Sequence, residues 1–132
     1  PQGITTDGTN LYVSDNGNNR IRKIVISTGV VTTLAGSSSG NTDATGTSAR
    51  FSNPVGITTD GTNLYVSEYS NHRIRKIVID NGTVTTLAGS SQGFADNATG
   101  TSARFDIPEG ITTDGTNLYI SDYGNHRIRK IE

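Results

Sequence analysis

An all-β fold of repeated four-stranded antiparallel units is what this sequence predicts, and three observations carry it. The decapeptide GITTDGTNLY stands at 3–12, 56–65 and 110–119 without a change, at offsets of 53 and then 54 residues, which marks one structural unit used repeatedly. Hydrophobic residues make up only 31% of the 132, yet they fall in short runs between turn residues, the pattern of ordered strands rather than of disorder. Asp-Gly and Asn-Gly pairs punctuate those runs, as hairpins require.

The middle copy shows each element. Gly56 to Thr59 reads as a first strand, and Asp60-Gly61-Thr62-Asn63 as a tight hairpin whose central residues tolerate positive φ. Leu64 to Ser67 returns as the second strand with a two-residue alternation. Glu68-Tyr69-Ser70-Asn71-His72 is a polar turn leading into the third strand, Arg73 to Ile79, where the β-branched run Ile77-Val78-Ile79 favours extended backbone. Asp80-Asn81-Gly82 is a second hairpin signal, and Thr83 to Ala88 forms the fourth strand. A loop from Gly89 to about Asn97 and a returning segment from Ala98 to Pro108 complete the unit. Within it ATGTSARF is repeated at 44–51 and 98–105, with Phe51 and Phe105 expected beneath the sheets and Ala49 and Ala103 allowing close approach. The single-residue difference in repeat length also falls in this region, which places it in an exposed loop. Glycines elsewhere read as turn residues.

Four-stranded meanders at this period point to a β-propeller, in which roughly four to eight blades circle a channel. A blade covered on both faces explains the apolar third strand. Stacked solenoids, whose units are shorter, are the alternative.

Eleven Lys and Arg against twelve Asp and Glu give a formal charge of −1, so no bulk positive field draws in a phosphate backbone and no nucleic-acid partner is expected. The absence of cysteine removes disulfides, thiolate metal sites and cysteine nucleophiles. No apolar run approaches the roughly 20 residues of a membrane-spanning helix. The sequence opens at Pro1 and contains no Met, which reads as a processed or cut N-terminus with room for a targeting signal upstream.

The runs Pro-x-Gly-Ile, Asp-Gly-x-Asn-Leu-Tyr-Val-Ser-Asp, Gly-Asn-His-Arg-Ile-Arg-Lys-Ile and Val-Thr-Thr-Leu-Ala-Gly resemble the NHL repeat across essentially the whole chain. Asn125 to Ile131 and Asn71 to Ile77 match its centre equally well, whereas the first copy has Asn19 in place of His. The resemblance implies a six-bladed propeller, of which residues 1–132 form a single segment of about 2.75 blades: blade 1 at 3–36, blade 2 at 56–89 and a partial blade 3 at 110–132, with connecting loops 37–55 and 90–109. Such a segment either belongs to a longer propeller of about 320 residues or closes its ring by assembly of several copies. The missing fourth strand of the last blade favours the longer propeller.

Candidate chemistry is weighed against structural roles. His72 and His126, at equivalent positions, offer a metal site or a general base, as in NHL-like lyases; the plainer role is a turn, Asn71-His72-Arg73 and Asn125-His126-Arg127, tying the second strand to the third by local hydrogen bonds. Asp7, Asp60 and Asp114 each precede a hairpin Gly, so turn chemistry accounts for them better than calcium does. Asp15, Glu68 and Asp122 are expected to pair with Arg20, Arg73 and Arg127. These arginines and Arg22, Lys23, Arg75, Lys76, Arg129 and Lys130 form the basic clusters that an RNA-binding reading would need, with few aromatic platforms to support it. Asn81-Gly-Thr83 and Asn97-Ala-Thr99 fit a glycosylation pattern by chance in so Asn- and Thr-rich a chain.

The functional reading is a propeller scaffold for a protein or glycan partner, or for self-association that closes the ring, with no catalysis of its own and no cofactor. The expected binding loops run from Ser37 to Asp43, including Asn41, and from Ser90 to Asn97, including Gln92, Phe94 and Asp96. The alternatives are a metal-dependent lyase or hydrolase with its site in the central channel, or an RNA-binding domain. The neutral Ser/Thr/Asn-rich surface is similar to that of exported bacterial NHL proteins, which implies an extracytoplasmic location.

Overall fold

The computed structural model describes residues 1–97 and 99–132. Among these are eleven strands in three antiparallel sheets. The first holds β1 (Gly3–Thr6), β2 (Asn10–Asp15), β3 (Arg20–Val25) and β4 (Val31–Gly36), and the second β5 (Pro54–Thr59), β6 (Asn63–Glu68), β7 (Arg73–Val78) and β8 (Val84–Ala88). The third holds β9 (Pro108–Thr113), β10 (Leu118–Asp122) and β11 (Arg127–Ile131). Each sheet is a meander in sequence order, and the first strands β1, β5 and β9 are neighbours. That is the arrangement of adjacent propeller blades with their first strands innermost.

The repeated decapeptide closes its hairpin with its own side chains. Asp60 Oδ1 accepts the N–H groups of Thr62 and Asn63 at 2.8 and 2.6 Å. Thr59 Oγ1 donates to the Asn63 carbonyl, and the Tyr65 hydroxyl donates to Asp60 Oδ2 at 2.8 Å. Asp7 with Tyr12 and Asp114 with Tyr119 repeat the pattern. All of these contacts lie within five residues, so the hairpin is written locally.

Some element bounds differ from expectation. The first strand of blade 2 starts two residues early, at Pro54, with a register irregularity between Pro54 and Ile57; a strand start tolerates proline because no ladder N–H is needed there. The returning segments contain single 3₁₀ turns, Gly46–Ser48 and Gly100–Ser102, before their phenylalanines. The expected start of the second segment at Ala98, and the middle residue of the Asn97-Ala-Thr99 pattern, lie outside the described residues.

Two apolar layers join the blades. In one, Tyr12, Ile21, Ala35, Ala49 and Phe51 from blade 1 and its connecting segment meet Ile57, Leu64, Val66, Ile77 and Val84 of blade 2. In the other, Ile74, Ala88, Ala103 and Phe105 meet Leu118 and Ile120 of blade 3. Phe51 and Phe105 are fully buried between sheets, so each connecting segment is a wedge that completes the junction to the next blade.

One expectation is corrected here. Gly3 and Gly56 serve blade contact rather than turns: a Cβ on either would clash with the backbone carbonyl of Val55 or of Glu109 in the next blade. Ser14 Oγ donates to the Val55 carbonyl at 2.5 Å, and Ser67 Oγ donates to that of Glu109. Glycine at the head of each decapeptide thus lets two innermost strands approach closely.

Candidate functional site

The turns between second and third strands, together with the ends of the connecting segments, form one loop-bearing face. In blades 1 and 3 the turn is 3₁₀, at Asn16–Asn18 and Tyr123–Asn125, and it ends in a left-handed residue, Asn19 or His126. His72 has the same conformation in blade 2, with φ of 55°. Asn tolerates this region and His is found there more often than most residues, which explains how both types serve one position.

The side chains at that position do the same work. His72 Nδ1 accepts the N–H of Ile107 at 3.2 Å, and Asn19 Oδ1 accepts the N–H of Asn53 at 3.0 Å. Each bond crosses from one blade to the segment leading into the next. The expectation of purely local bonds in the Asn-His-Arg turn is therefore corrected: the acceptor is inter-blade. Asn71 Nδ2 and Asn125 Nδ2 also reach out, donating to the carbonyls of Gly40 and Gly93 as well as to Glu68 and Asp122. Arg127 donates to the Asn125 carbonyl and its guanidinium lies over the Phe94 ring at 4.1 Å.

The acidic position has a different partner from the expected one. Asp15, Glu68 and Asp122 pair with Arg22, Arg75 and Arg129, not with Arg20, Arg73 and Arg127. Arg75 is fully buried against Phe51 and has anions on both sides: Nη1 donates to Glu68 Oε2 at 3.0 Å and Nη2 to Asp43 Oδ1 at 2.6 Å. Two further bonds go to the carbonyls of Arg50 and Thr42. The second carboxylate and the carbonyls come from the preceding connecting segment, and among the described residues no such set surrounds the neighbouring Arg73. Burial pushes the Glu68 carboxyl above its usual range, although Arg75 and the N–H of Ser52 oppose it. Arg129 repeats the clamp with Asp122, Asp96 and the carbonyls of Arg104 and Ala95. One of the three basic residues in each of the second and third clusters is thereby spent inside the fold.

The hairpin aspartates lie elsewhere, at the tips between first and second strands. Burial works to raise the Asp60 carboxyl, but the N–H groups of Asn63 and Thr62 and the Tyr65 hydroxyl bring it down to about 2. Burial and Asp60 together push the Tyr65 hydroxyl up to about 12.

The expected loops are braced by the connecting segments. Ser37 and Ser90 donate to the carbonyls of Ala49 and Ala103, and Gln92 Nε2 donates to Asp106 at 3.0 Å. Asp43 takes Arg75 and the backbone and hydroxyl of Thr86, and Asp96 takes Arg129. Asn41 is exposed, and Phe94 is exposed beneath Arg127 and Arg129. The residue that lengthens the second repeat falls between Asp96 and Thr99, since Asp43 and Asp96 clamp equivalent arginines and Thr45 and Thr99 precede equivalent turns.

On the loop-bearing face two aromatic rings stand out at equivalent positions, Tyr69 at 41% exposure and Tyr123 at 61%. Their backbones are held by N–H donation to the carbonyls of Asn53 and Ile107. Asn53, whose carbonyl takes the Tyr69 N–H, is linked to Asn16 and Ser70 by side-chain hydrogen bonds. Exposed rings on anchored backbone suit stacking and hydrogen bonding to a polar ligand. Among the described residues, no three His, Asp or Glu side chains converge as a metal site would need. The sequence contained Tyr69 and Tyr123 but not their shared exposure; the invariant serine of Tyr-x-Ser-Asp/Glu was the unread signal of the inter-blade bonds.

The NHL repeat family model matches residues 105–131. NHL repeat-containing protein 2 of Bos taurus is 32% identical over 137 residues, which cover 92% of this chain and 19% of that protein. Among solved structures, an auxiliary nutrient binding protein from Bacteroides thetaiotaomicron superposes with a TM-score of 0.84 at 27% identity, over 98% of this chain and 36% of that one. Virginiamycin B lyase from Staphylococcus aureus superposes at 0.61 and 23% identity, over 98% and 36%, and shares the fold. The chain thus spans about a fifth of the curated relative and about a third of either structure.

Proposed function

The chain belongs to the NHL-repeat β-propellers, and on that premise we propose that it is a non-catalytic binding scaffold for a protein or glycan partner outside the cytoplasm. The observation that carries this reading is how the polar groups are used. His72 accepts a backbone N–H, Arg75 and Arg129 clamp connecting segments, and the hairpin aspartates cap their own turns. Exposed on the turns between second and third strands are Tyr69 and Tyr123, the makings of recognition rather than of acid–base or nucleophilic chemistry. The nutrient-binding neighbour from Bacteroides supports both the binding role and the location.

Probing arrays of oligosaccharides and of peptides with the purified chain tests this. Retained ligands should weaken about tenfold with Tyr69→Ala or Tyr123→Ala, as aromatic anchors do, while the thermal melt is unchanged. Ligands indifferent to both changes would place recognition elsewhere. A stoichiometric zinc or calcium in the purified protein, with turnover of a bound ligand, would replace the scaffold reading by an enzymatic one.

A further inference from the structure

The same arginine opens the third strand of every blade, as Arg20, Arg73 and Arg127, and the middle copy is used differently. Arg20 and Arg127 each donate through Nη1 to a carbonyl of their own turn, at Asn18 and Asn125. Among the described residues Arg73 makes no such bond, and its buried Nε has no hydrogen-bond partner. Glu68, its cross-strand neighbour, pairs with Arg75, and so does Asp43. A guanidinium stays charged at any ordinary pH, so Arg73 is a half-buried cation without a counter-charge among the described residues.

Arg73 lines a pocket of 330 Å³ with Asn41 and Asp43 from the segment before blade 2, Thr86 of β8, and Ser90 and Thr101 from the segment after it. Blade 2 has all four strands and a connecting segment on each side, so the walls lie wholly within the chain. One difference separates this place from the next repeat. Asn41 stands where that repeat has Phe94, whose ring lies 4.1 Å beneath the Arg127 guanidinium. With asparagine there, the space beside Arg73 is open and polar. Asp43 is fixed in its wall by Arg75 and by the N–H and hydroxyl of Thr86, while Asn41 and Thr101 are exposed and bring an amide and a hydroxyl.

We propose that this pocket binds a small hydroxylated carboxylate of sugar-acid size, its carboxylate paired with Arg73 and its hydroxyls with Asn41, Thr101 and Asp43. A guanidinium engages a carboxylate through two parallel N–H···O bonds, and the volume lies within the range of small-molecule sites. A carboxylate alone leaves most of that volume empty. The remaining walls carry hydroxyl, amide and carboxylate groups, which pair with ligand hydroxyls and are costly to cover with an apolar body. Asp43 disfavours a phosphate dianion, whose second negative charge it repels. The site shares no residue with the turns of Tyr69 and Tyr123, so either reading can fail without the other.

Calorimetric titration of the purified chain with glucuronate or galacturonate should show saturable binding. Glucose, the same ring without the carboxylate, should bind about tenfold more weakly, the scale of one charge-assisted pair, and inorganic phosphate no better than glucose. Arg73→Gln should cost the acids about tenfold and glucose little, since the variant and the neutral sugar remove one interaction. Asn41→Phe, which copies the ring of the next repeat, should block the acids while leaving Arg73 in place. In the wild type the Arg73 Nε–H resonance should shift with the acids and not with glucose, a readout that needs no variant to fold. Absence of saturable binding by either acid, glucose or phosphate binding as tightly as the acids, unchanged acid binding by Arg73→Gln or Asn41→Phe, or an Nε–H resonance indifferent to the acids would each overturn the assignment.

Discussion

β7 and β11 carry the same five residues, Arg-Ile-Arg-Lys-Ile, in the same place in their blades, yet Ile74 is 0% exposed and Ile128 is 74% exposed. Nothing local separates them. Ile74 lies under Ala88, Ala103 and Phe105, which a fourth strand and a connecting segment bring to it; among the described residues no such cover reaches Ile128. The buried arginines teach the complementary lesson. Arg75 and Arg129 are both clamped because the connecting segment that serves each one precedes it in the chain. Arg22 makes 3.4 Å contacts with Asp15 and the Thr32 carbonyl and is partly exposed, with no second carboxylate on it among the described residues. In a repeat fold a residue's environment is set by which neighbouring unit is there, not by the unit it belongs to.

The largest effect should come from breaking the clamp where it is complete. Glu68→Ala leaves the Arg75 guanidinium buried without its inner carboxylate and should cost about 3–5 kcal/mol, whereas Asp15→Ala should cost under about 1 kcal/mol because its Arg22 partner is partly exposed to water. Urea unfolding of the two variants checks this, and similar midpoints would mean that the surrounding segment does not set the value of the pair.

The isoleucines sharpen the contrast. Ile74→Ala should destabilise by about 2–5 kcal/mol through the cavity it opens between blades, and Ile128→Ala should stay within about 0.5 kcal/mol. Calorimetric melting temperatures separate them directly.

Smaller effects belong to the blade junctions. Ile107 has φ of 54° where blade 2 has Asn53 at 51°, and a β-branched residue is strained there. Ile107→Asn should stabilise the protein by about 1 kcal/mol. His72→Asn should be close to neutral, because Asn19 already makes the equivalent bond, while His72→Ala should cost about 1–3 kcal/mol for the N–H left without an acceptor. A destabilised Ile107→Asn would show that the junction depends on the isoleucine side chain more than on backbone ease.

The smallest effect is in acid. The folded Asp60 carboxyl lies at about 2, below its unfolded value of about 4, so its contribution is present above pH ~4 and is lost as pH falls through ~2. The wild type should therefore lose thermal stability between these values more steeply than Asp60→Asn, with parallel curves counting against the hairpin as the source.

Hairpins were legible because their bonds join residues at most five apart, and the sequence named their aspartates correctly for that reason. It misassigned the arginine partners because Asp43 and Glu68, which meet at Arg75, lie far apart in the chain. Tyr69 and Tyr123 were visible as residues, but their common exposure on one face depended on how blades are placed side by side.

By itself the sequence determined the unit: strands from alternation and β-branched runs, turns from Asp-Gly and Asn-Gly, and the number of units from a decapeptide that never varies. The tertiary structure decided what each copy of that unit experiences. Gly3 and Gly56 abut the next blade's carbonyl while Gly110 meets its own serine, and Asp43 holds both Arg75 and Thr86 while Asp96 holds Arg129. Burial and hydrogen-bond satisfaction are properties of the gap between units, and a repeated sequence does not record which gaps are filled.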